Sequence, residues 1–133
     1  VAEGLGYKRI WLFDSPALYG DVWVGLALIA QATATIGLGT GVAIPSMRHP
    51  LVTASAIGTI DEMAPGRLIA AFGTGYTGRV SMGQRPMTWA RLATYVRQVR
   101  AHRIDGVEMR HPRRLAAHWP INPGDPGITR IEG

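Results

Sequence analysis

One stretch, Ile36 to Pro50 (IGLGTGVAIPSMRHP), constrains the fold more than any other part of the sequence. Its first residues, Ile36 to Thr40, form an apolar run that is typical of a strand buried on both faces. A glycine-containing turn follows, and Pro50 stands where helices accept proline, at their first residue. Because helical patterns lie on both sides, we interpret the stretch as the second strand of a βαβ series. Ligands of parallel sheets bind outside the carboxyl ends of the strands, so a functional site is expected at Gly39 to Pro45.

The alternation of strand and helix patterns extends over most of the chain. The predicted strands are apolar, β-prone runs at Arg9 to Phe13, Ile36 to Thr40 and Leu68 to Phe72. The predicted helices are Val22 to about Ala34 after an Asp21 cap, a helix from Pro50 that ends before Pro65, and a helix to about Arg103 after a Thr88 cap. The strands begin near residues 9, 36 and 68, which is the spacing of βα units in an α/β fold with a parallel sheet.

Helical periodicity assigns a buried face to the last two predicted helices. These faces are Leu51, Ala54, Ile57, Gly58 and Met63 in one helix, and Trp89, Leu92, Ala93, Val96 and Val99 in the other. The segment between the third strand and the last helix is interpreted as irregular. His49 stands at a helix start, where we expect it to cap the helix or to lie on the surface.

Composition excludes several classes of protein. A hydrophobic content of 47% with 17% charged residues is typical of a globular chain and not of a disordered one. The sequence has no cysteine, so a disulfide framework and a thiolate metal site are both impossible, and a reducing cytoplasm fits. The longest apolar run, Val22 to Ala30, is too short to span a bilayer. The histidines have no ligand-like spacing, so no metal site is expected.

Positive charge is concentrated in one part of the chain. Residues 79–114 carry nine arginines against Asp105 and Glu108, whereas residues 1–78 carry four basic and five acidic side chains. Such a cluster indicates either an anionic partner or a solvated arginine-rich face. No aromatic interleaving or nucleic-acid motif accompanies it, so we do not expect nucleic-acid binding. Beyond Arg103 periodicity is lost, and residues 105–133 are interpreted as an irregular, proline- and arginine-rich tail.

Polar or glycine-rich loops follow all three predicted strands. They are Asp14-Ser15, Thr40 to Pro45, and Gly73-Thr74-Gly75-Tyr76. Glycine allows the backbone to approach a ligand closely, and a carboxylate at a strand end suits acid–base chemistry or the polar edge of a cofactor. Because the carboxyl ends of parallel strands share one edge of the sheet, the three loops predict a single site.

Three segments together resemble the luciferase-like flavin-dependent oxidoreductases. In chain order they are GLGYKRIWLFD, ATIGLGTGVAIPSMRHP and TIDEMAPGRLIAAFGTGYTGR. The middle segment is the most specific, with a glycine-rich strand end followed by Pro-x-x-Arg-His-Pro. Two further segments, GQRPMTW and DGVEMRHPRRL, look closer to members that use a deazaflavin coenzyme.

The resemblance implies part of a (β/α)8 TIM barrel, namely its second to fourth βα units over residues 1–104. It implies hydride transfer or oxygen-dependent monooxygenation on a small organic substrate, with the deazaflavin coenzyme F420 or FMN as cofactor. It also implies a non-prolyl cis peptide bond, which by motif position falls at Gly41–Val42. The cofactor-binding residues implied by the resemblance are Asp14, Gly41, Val42, Ala43, Gly73, Thr74 and Gly75.

Two positions depart from the pattern of the sugar-phosphate dehydrogenases in the deazaflavin subgroup. Ser15 stands where several of them have a catalytic histidine, and Tyr76 stands where some have a glutamate. This chemistry is therefore not expected, and no catalytic residue is assigned. A barrel of eight units needs on the order of 250 residues, so the sequence predicts an incomplete barrel whose unpaired sheet edges associate with other chains. The alternative is a truncated product without enzymatic activity, or a basic interaction module.

Overall fold

The computed structural model describes residues 1–102 of the chain. The predicted boundary near residue 104, the tail over residues 105–133 and the motif DGVEMRHPRRL therefore lie outside the described residues.

The described residues form a parallel sheet of three strands, with a helix after each strand. In chain order the elements are β1 (Arg9–Leu12), α1 (Val22–Ala32), β2 (Gly37–Ala43), α2 (Pro50–Met63), β3 (Leu68–Phe72), α3 (Tyr76–Val80) and α4 (Trp89–Ala101). The strand order is β1-β2-β3, and both strand pairs are parallel. A short 3-10 turn, Pro45–Met47, connects β2 to α2. The prediction of an α/β fold built from consecutive βα units is confirmed.

The hydrophobic core lies between the sheet and its helices. Its buried side chains come mainly from α1, β2 and α2: Val22, Trp23, Leu26, Ala30, Ile36, Leu38, Ala43, Ile60 and Ala64. A smaller cluster joins α2 to α4 through Ala54, Tyr95 and Val99. The core therefore fixes the helices against one face of the sheet.

The opposite face of β2 carries only glycines beside β1. Residues 37, 39 and 41 alternate with the core-facing Leu38 and Thr40, and the side chains of Arg9 and Trp11 lie over them. A Cβ atom at Gly39 would come within 2.3 Å of the Trp11 ring. The predicted burial of Ile36 to Thr40 is confirmed, whereas β1 and β3 are only half-buried throughout.

Side chains cap the longer helices as their sequences predict. Asp21 Oδ1 accepts hydrogen bonds from the backbone N–H groups of Trp23 and Val24, at 2.9 and 3.2 Å. Thr88 Oγ1 accepts from Arg91 N at 3.4 Å. His49 Nδ1 accepts from Leu51 N at 3.2 Å, so this histidine is a cap and is exposed. These caps satisfy amide groups that the first helical turn leaves unpaired.

Several sequence predictions of detail are wrong. Strand β2 continues to Ala43, and the segment interpreted as irregular contains α3. Three residues assigned to buried faces are exposed by 42–49%, namely Leu51, Met63 and Trp89. Thr53, Ile60 and Tyr95 are buried instead. Thr53 and Tyr95 were not assigned to a buried face because they are not purely apolar. They are buried because their hydroxyl groups form a hydrogen bond with each other.

The amino end of the sheet is held by polar side chains. The Glu3 carboxylate accepts from Thr35 N, Ile36 N and Thr35 Oγ1 at 2.6–2.8 Å, and from Ala34 N at 3.2 Å. These bonds, with the Thr35 side chain the largest contributor, lower the pKa of Glu3 to about 2. Arg67 donates to the carbonyls of Ala30 and Ile36 and thereby ties α1 to β2. No helix over residues 1–102 has the length and apolar content that a membrane crossing requires.

Candidate functional site

The carboxyl ends of the three strands meet at one rim of the sheet, as the sequence predicts. Asp14 follows β1, the end of β2 carries Gly41, Val42 and Ala43, and Gly73 follows β3. Direct contacts join the three loops. Ile44 N donates to Asp14 Oδ2 at 2.8 Å, and Gly73 N donates to Ala43 O at 3.1 Å.

The end of β2 departs from regular strand geometry. The Gly41–Val42 peptide bond is cis, which confirms the expectation from the resemblance. Thr40 pairs with Ala70 and Ala43 pairs with Phe72, so β2 contains one residue more than β3 between the two pairs. This is a β-bulge, in which Gly41 and Val42 have no register partner on either neighbouring strand.

The Thr40 side chain completes the hydrogen bonding at the bulge. Its hydroxyl donates to Ala71 O at 2.7 Å and accepts from Ala71 N at 2.8 Å. Thr40 is fully buried, so these backbone groups of β3 receive a partner that the displaced backbone of β2 does not provide. Gly41 and Val42 therefore lie half-buried at the rim. The residues on either side, Thr40 and Ala43, are hydrogen-bonded to Ala71 and Gly73.

Asp14 is a buried carboxylate, and only one of its two oxygens accepts a hydrogen bond from residues 1–102. Oδ2 accepts from Ile44 N and, at 3.4 Å, from Arg48 Nη1. Oδ1 is buried and has no hydrogen-bond partner among residues 1–102. Buried polar atoms normally have a hydrogen-bond partner, so Oδ1 is a candidate acceptor for a hydrogen bond from a ligand.

Arg48 links Asp14 to a second carboxylate. Its other terminal nitrogen donates to Asp21 Oδ2, while Asp21 Oδ1 caps α1. Burial by itself raises the pKa of Asp21, but the hydrogen bonds from Val24 N, Arg48 and Trp23 N outweigh it and lower that pKa below its ordinary value. One guanidinium group therefore binds both the carboxylate that follows β1 and the carboxylate that caps the start of α1.

The loop after β3 is shaped by close packing against Ile44. Gly75 has φ +77°, and a Cβ atom there would come within 2.5 Å of an Ile44 methyl carbon. A Cβ atom at Gly78 would approach Ile44 equally closely. Thr74 O accepts from Met87 N at 2.9 Å, which fixes the other side of the loop. Glycine is required here because Ile44 fills the space that a side chain would occupy.

The structure brings the predicted site residues together but distributes them between rim and core. Gly41, Val42 and Thr74 are half-buried at the rim, whereas the Ala43 side chain belongs to the core and leaves only its backbone at the loop. Sequence reasoning missed Arg48, Thr53 and Tyr95. The arginine of the Pro-x-x-Arg-His-Pro segment was a usable signal, because a buried aspartate at a neighbouring strand end needs a cationic or donor partner.

Thr53 and Tyr95 form a buried hydroxyl chain that ends on Arg48. Tyr95 Oη donates to Arg48 O at 2.9 Å, and Thr53 Oγ1 lies 2.6 Å from Tyr95 Oη. Since the tyrosine hydroxyl has one proton, Thr53 is the donor in the second bond. Burial raises the pKa of Tyr95, although the Thr53 bond and the Arg48 charge oppose this and the Asp14 charge adds to it. Tyr95 therefore stays protonated and donates at neutral pH.

The described residues contain no group of three or more histidine, cysteine, aspartate or glutamate side chains arranged to hold a metal ion. The rim does fit a flat organic cofactor. Gly41 provides backbone without a side chain, the bulge displaces that backbone from the ladder, and Asp14 Oδ1 is a buried acceptor without a protein donor among residues 1–102.

Comparison with known proteins places this geometry in a family. The model of the luciferase-like monooxygenase family matches residues 1–121. The chain belongs to that family. Over 75 residues this luciferase-like chain is 43% identical to 5,10-methylenetetrahydromethanopterin reductase of Methanopyrus kandleri, covering 56% of the chain and 21% of the reductase.

Two solved structures share the fold of this luciferase-like chain. The coenzyme F420 dependent tetrahydromethanopterin reductase of Methanopyrus kandleri superposes with a TM-score of 0.60 at 32% identity, covering 74% of this chain and 31% of that one. The monooxygenase RslO1 of Streptomyces bottropensis gives 0.62 at 25% identity, with coverages of 74% and 32%. The chain thus spans about a fifth to a third of the length of these relatives, and its βα units are part of a TIM-barrel architecture.

Proposed function

We propose that this chain contributes the rim of a cofactor site in an oxidoreductase that uses coenzyme F420 or FMN. The observation that carries the proposal is the bulge at Gly41–Val42 beside the buried Asp14, whose Oδ1 has no donor among the described residues. The reaction is hydride transfer with a small organic substrate, or oxygen-dependent monooxygenation. The bound cofactor supplies the redox chemistry, and the protein orients it and shields it from water.

Each part of the rim has a separate task in this proposal. Asp14 Oδ1 accepts a hydrogen bond from an N–H or O–H group of the cofactor or substrate. The bulge supports one face of the ring with backbone alone. Gly73, Thr74 and Gly75 form the adjoining wall, which the Ile44 side chain holds in place. These are the residues that the family resemblance implied as cofactor-binding, together with Ala43 through its backbone.

The deazaflavin is our preferred cofactor, with FMN as the alternative. The segment GQRPMTW resembles deazaflavin-dependent members, and one structural relative is a coenzyme F420 dependent reductase. The preference is tested by fluorescence titration with each compound of a cofactor-free protein in which this chain is part of a complete barrel, here called the complete-barrel protein. Tighter binding of F420 is expected, and tighter binding of FMN would reverse the choice while leaving the oxidoreductase proposal intact.

Substitution of Asp14 tests the site itself. Asp14→Asn retains the shape but replaces an acceptor oxygen by a donor, so we expect the cofactor Kd or the substrate KM to rise by about tenfold or more, since hydrogen bonds to charged groups contribute about 1.5–3 kcal/mol. Glu62→Gln is the matched control, because Glu62 is an exposed carboxylate on α2. Unchanged values of both constants in Asp14→Asn would remove Asp14 from the site.

A second candidate function is a basic interaction module that acts through its arginines. Residues 67–102 contain six arginines and no acidic side chain. Retention on a polyanion column that falls steeply with salt, together with absence of any cofactor signal, is the outcome that favours this candidate. We propose a cytoplasmic location for either function, and we propose self-association through the sheet edges.

A further inference from the structure

Arg48 lies between the loops that follow β1 and β2, without being part of the bulge itself. Its side chain is 17% exposed, and its two terminal nitrogens contact Asp14, at the end of β1, and Asp21, at the start of α1. Its position in the chain is just after the turn that follows β2. One side chain therefore connects two βα units from within the loop of the second.

The backbone of Arg48 is held independently of its side chain. Its carbonyl accepts the hydroxyl proton of Tyr95 from α4, and Tyr95 in turn accepts from Thr53 on α2. The main chain of Arg48 is therefore bound by Tyr95 of α4, which Thr53 of α2 holds in turn. Its guanidinium group is bound by two carboxylates. These contacts restrict the long side chain more than a fully exposed ion pair does.

We propose that Arg48 is a positioning residue for the cofactor rim. It holds Asp14 Oδ2 toward the Ile44 amide, so that Oδ1 is the oxygen left for the ligand and Ile44 remains seated against Gly75. This inference rests on the proposed function for its ligand, but the geometry that Arg48 maintains exists without one. Removing the guanidinium leaves Asp14 buried with one donor fewer, and such a carboxylate seeks another partner or water.

Amide hydrogen exchange in the cofactor-free complete-barrel protein tests the geometry. In Arg48→Gln we expect the Ile44 amide to exchange about tenfold faster or more, because the carboxylate that accepts its proton is no longer fixed. The Leu26 amide in the core of α1 reports global stability, and the Ile44 rate is expected to rise by more than the Leu26 rate. Arg97→Gln is the matched control, since Arg97 is exposed on α4 and bonds only within its own helix, to Thr94 among the described contacts. An unchanged Ile44 rate overturns the proposal.

A double-mutant cycle on cofactor Kd separates positioning from general structural support. Arg48→Gln is expected to raise Kd by about tenfold, and Arg48→Lys, which keeps a charge that can reach Asp14, by less. If Arg48 acts through Asp14, the double variant Arg48→Gln/Asp14→Asn binds no worse than Asp14→Asn alone. Effects that multiply in the double variant would overturn the proposal.

The two experiments fail separately. If the complete-barrel protein without substitutions binds neither F420 nor FMN, the proposed function is contradicted. In that case the Ile44 exchange rate alone decides whether Arg48 positions the rim, with a faster rate supporting the role and an unchanged rate excluding it.

Discussion

At the scale of single residues, hydrogen bonding to Glu3 makes a testable contribution to acid stability. The folded-state pKa of about 2 lies below the ordinary value of 4.5, so the unfolded chain binds more protons between these values. The stabilisation is therefore present above about pH 4.5 and is lost as pH falls toward 2. We expect Glu3→Gln to lower the thermal midpoint at pH 7 and to flatten its decline over that window. Circular dichroism melts against pH measure this, with Glu62→Gln as a control that should follow the wild type.

A second residue-scale prediction compares two glycines with the same backbone conformation. Gly6 and Gly75 have φ of +80° and +77°, but only Gly75 has a neighbour where a Cβ atom would stand. Gly6→Ala should cost about 1–2 kcal/mol of unfolding free energy for the left-handed conformation. Gly75→Ala should cost about 1–3 kcal/mol more, because Ile44 must move. Urea unfolding of both variants measures the difference, and equal costs would show that Ile44 yields freely.

At the scale of elements, Thr40 is expected to hold the bulge to β3. Thr40→Val keeps the shape of the side chain but leaves Ala71 N and O without the hydroxyl, for which we expect a loss of about 1–3 kcal/mol. Thr59→Val is the control, since Thr59 is exposed on α2 and its hydroxyl bonds only to Ser55 O among the described contacts. Chemical unfolding curves of the two variants provide the comparison. A loss no larger than that of the control would mean that water replaces the hydroxyl.

The elements also show what sequence reasoning could and could not reach. The caps at Asp21 and Thr88 and the apolar strand runs were readable because each depends on a few neighbouring residues. The extension of β2 to Ala43 was not, since Thr40 replaces ladder bonds through its side chain and the pairing resumes only at Phe72. The bulge and the cis bond were expected only through the resemblance to a family, because no local pattern specifies either.

The prediction of the buried helical faces was wrong for a different reason. Periodicity assumes that burial follows apolar character, yet Tyr95 is buried through its hydroxyl bonds and Trp89 is 42% exposed at the start of α4. The Arg48 contacts likewise depend on Asp14, Asp21 and Tyr95, which lie far apart in sequence. The candidate loops could be located from the sequence, but the side chains that hold them required tertiary structure.

At the scale of the whole molecule, the three strands and their helices leave surfaces that a closed barrel would cover. Within residues 1–102, β1 and β3 each pair with β2 alone, so the sheet has two edges. Helix α1 also exposes Val24 and Leu28 by 59% and 62%. Unpaired edges and exposed apolar side chains favour association with other chains.

We therefore expect the 133-residue chain, produced by itself, to associate and to bind neither F420 nor FMN firmly. Barrel enzymes commonly hold a cofactor phosphate with loops after their seventh and eighth strands, and the described sheet has three strands. Size-exclusion chromatography measures the association, and fluorescence titration measures the binding. A variant that places lysine at Val24 and Leu28 separates the two causes, since it should reduce association through α1 without restoring cofactor binding. A compact monomer of the unaltered chain that binds either cofactor with a Kd of micromolar order or below would show that three βα units complete the site without the remaining barrel.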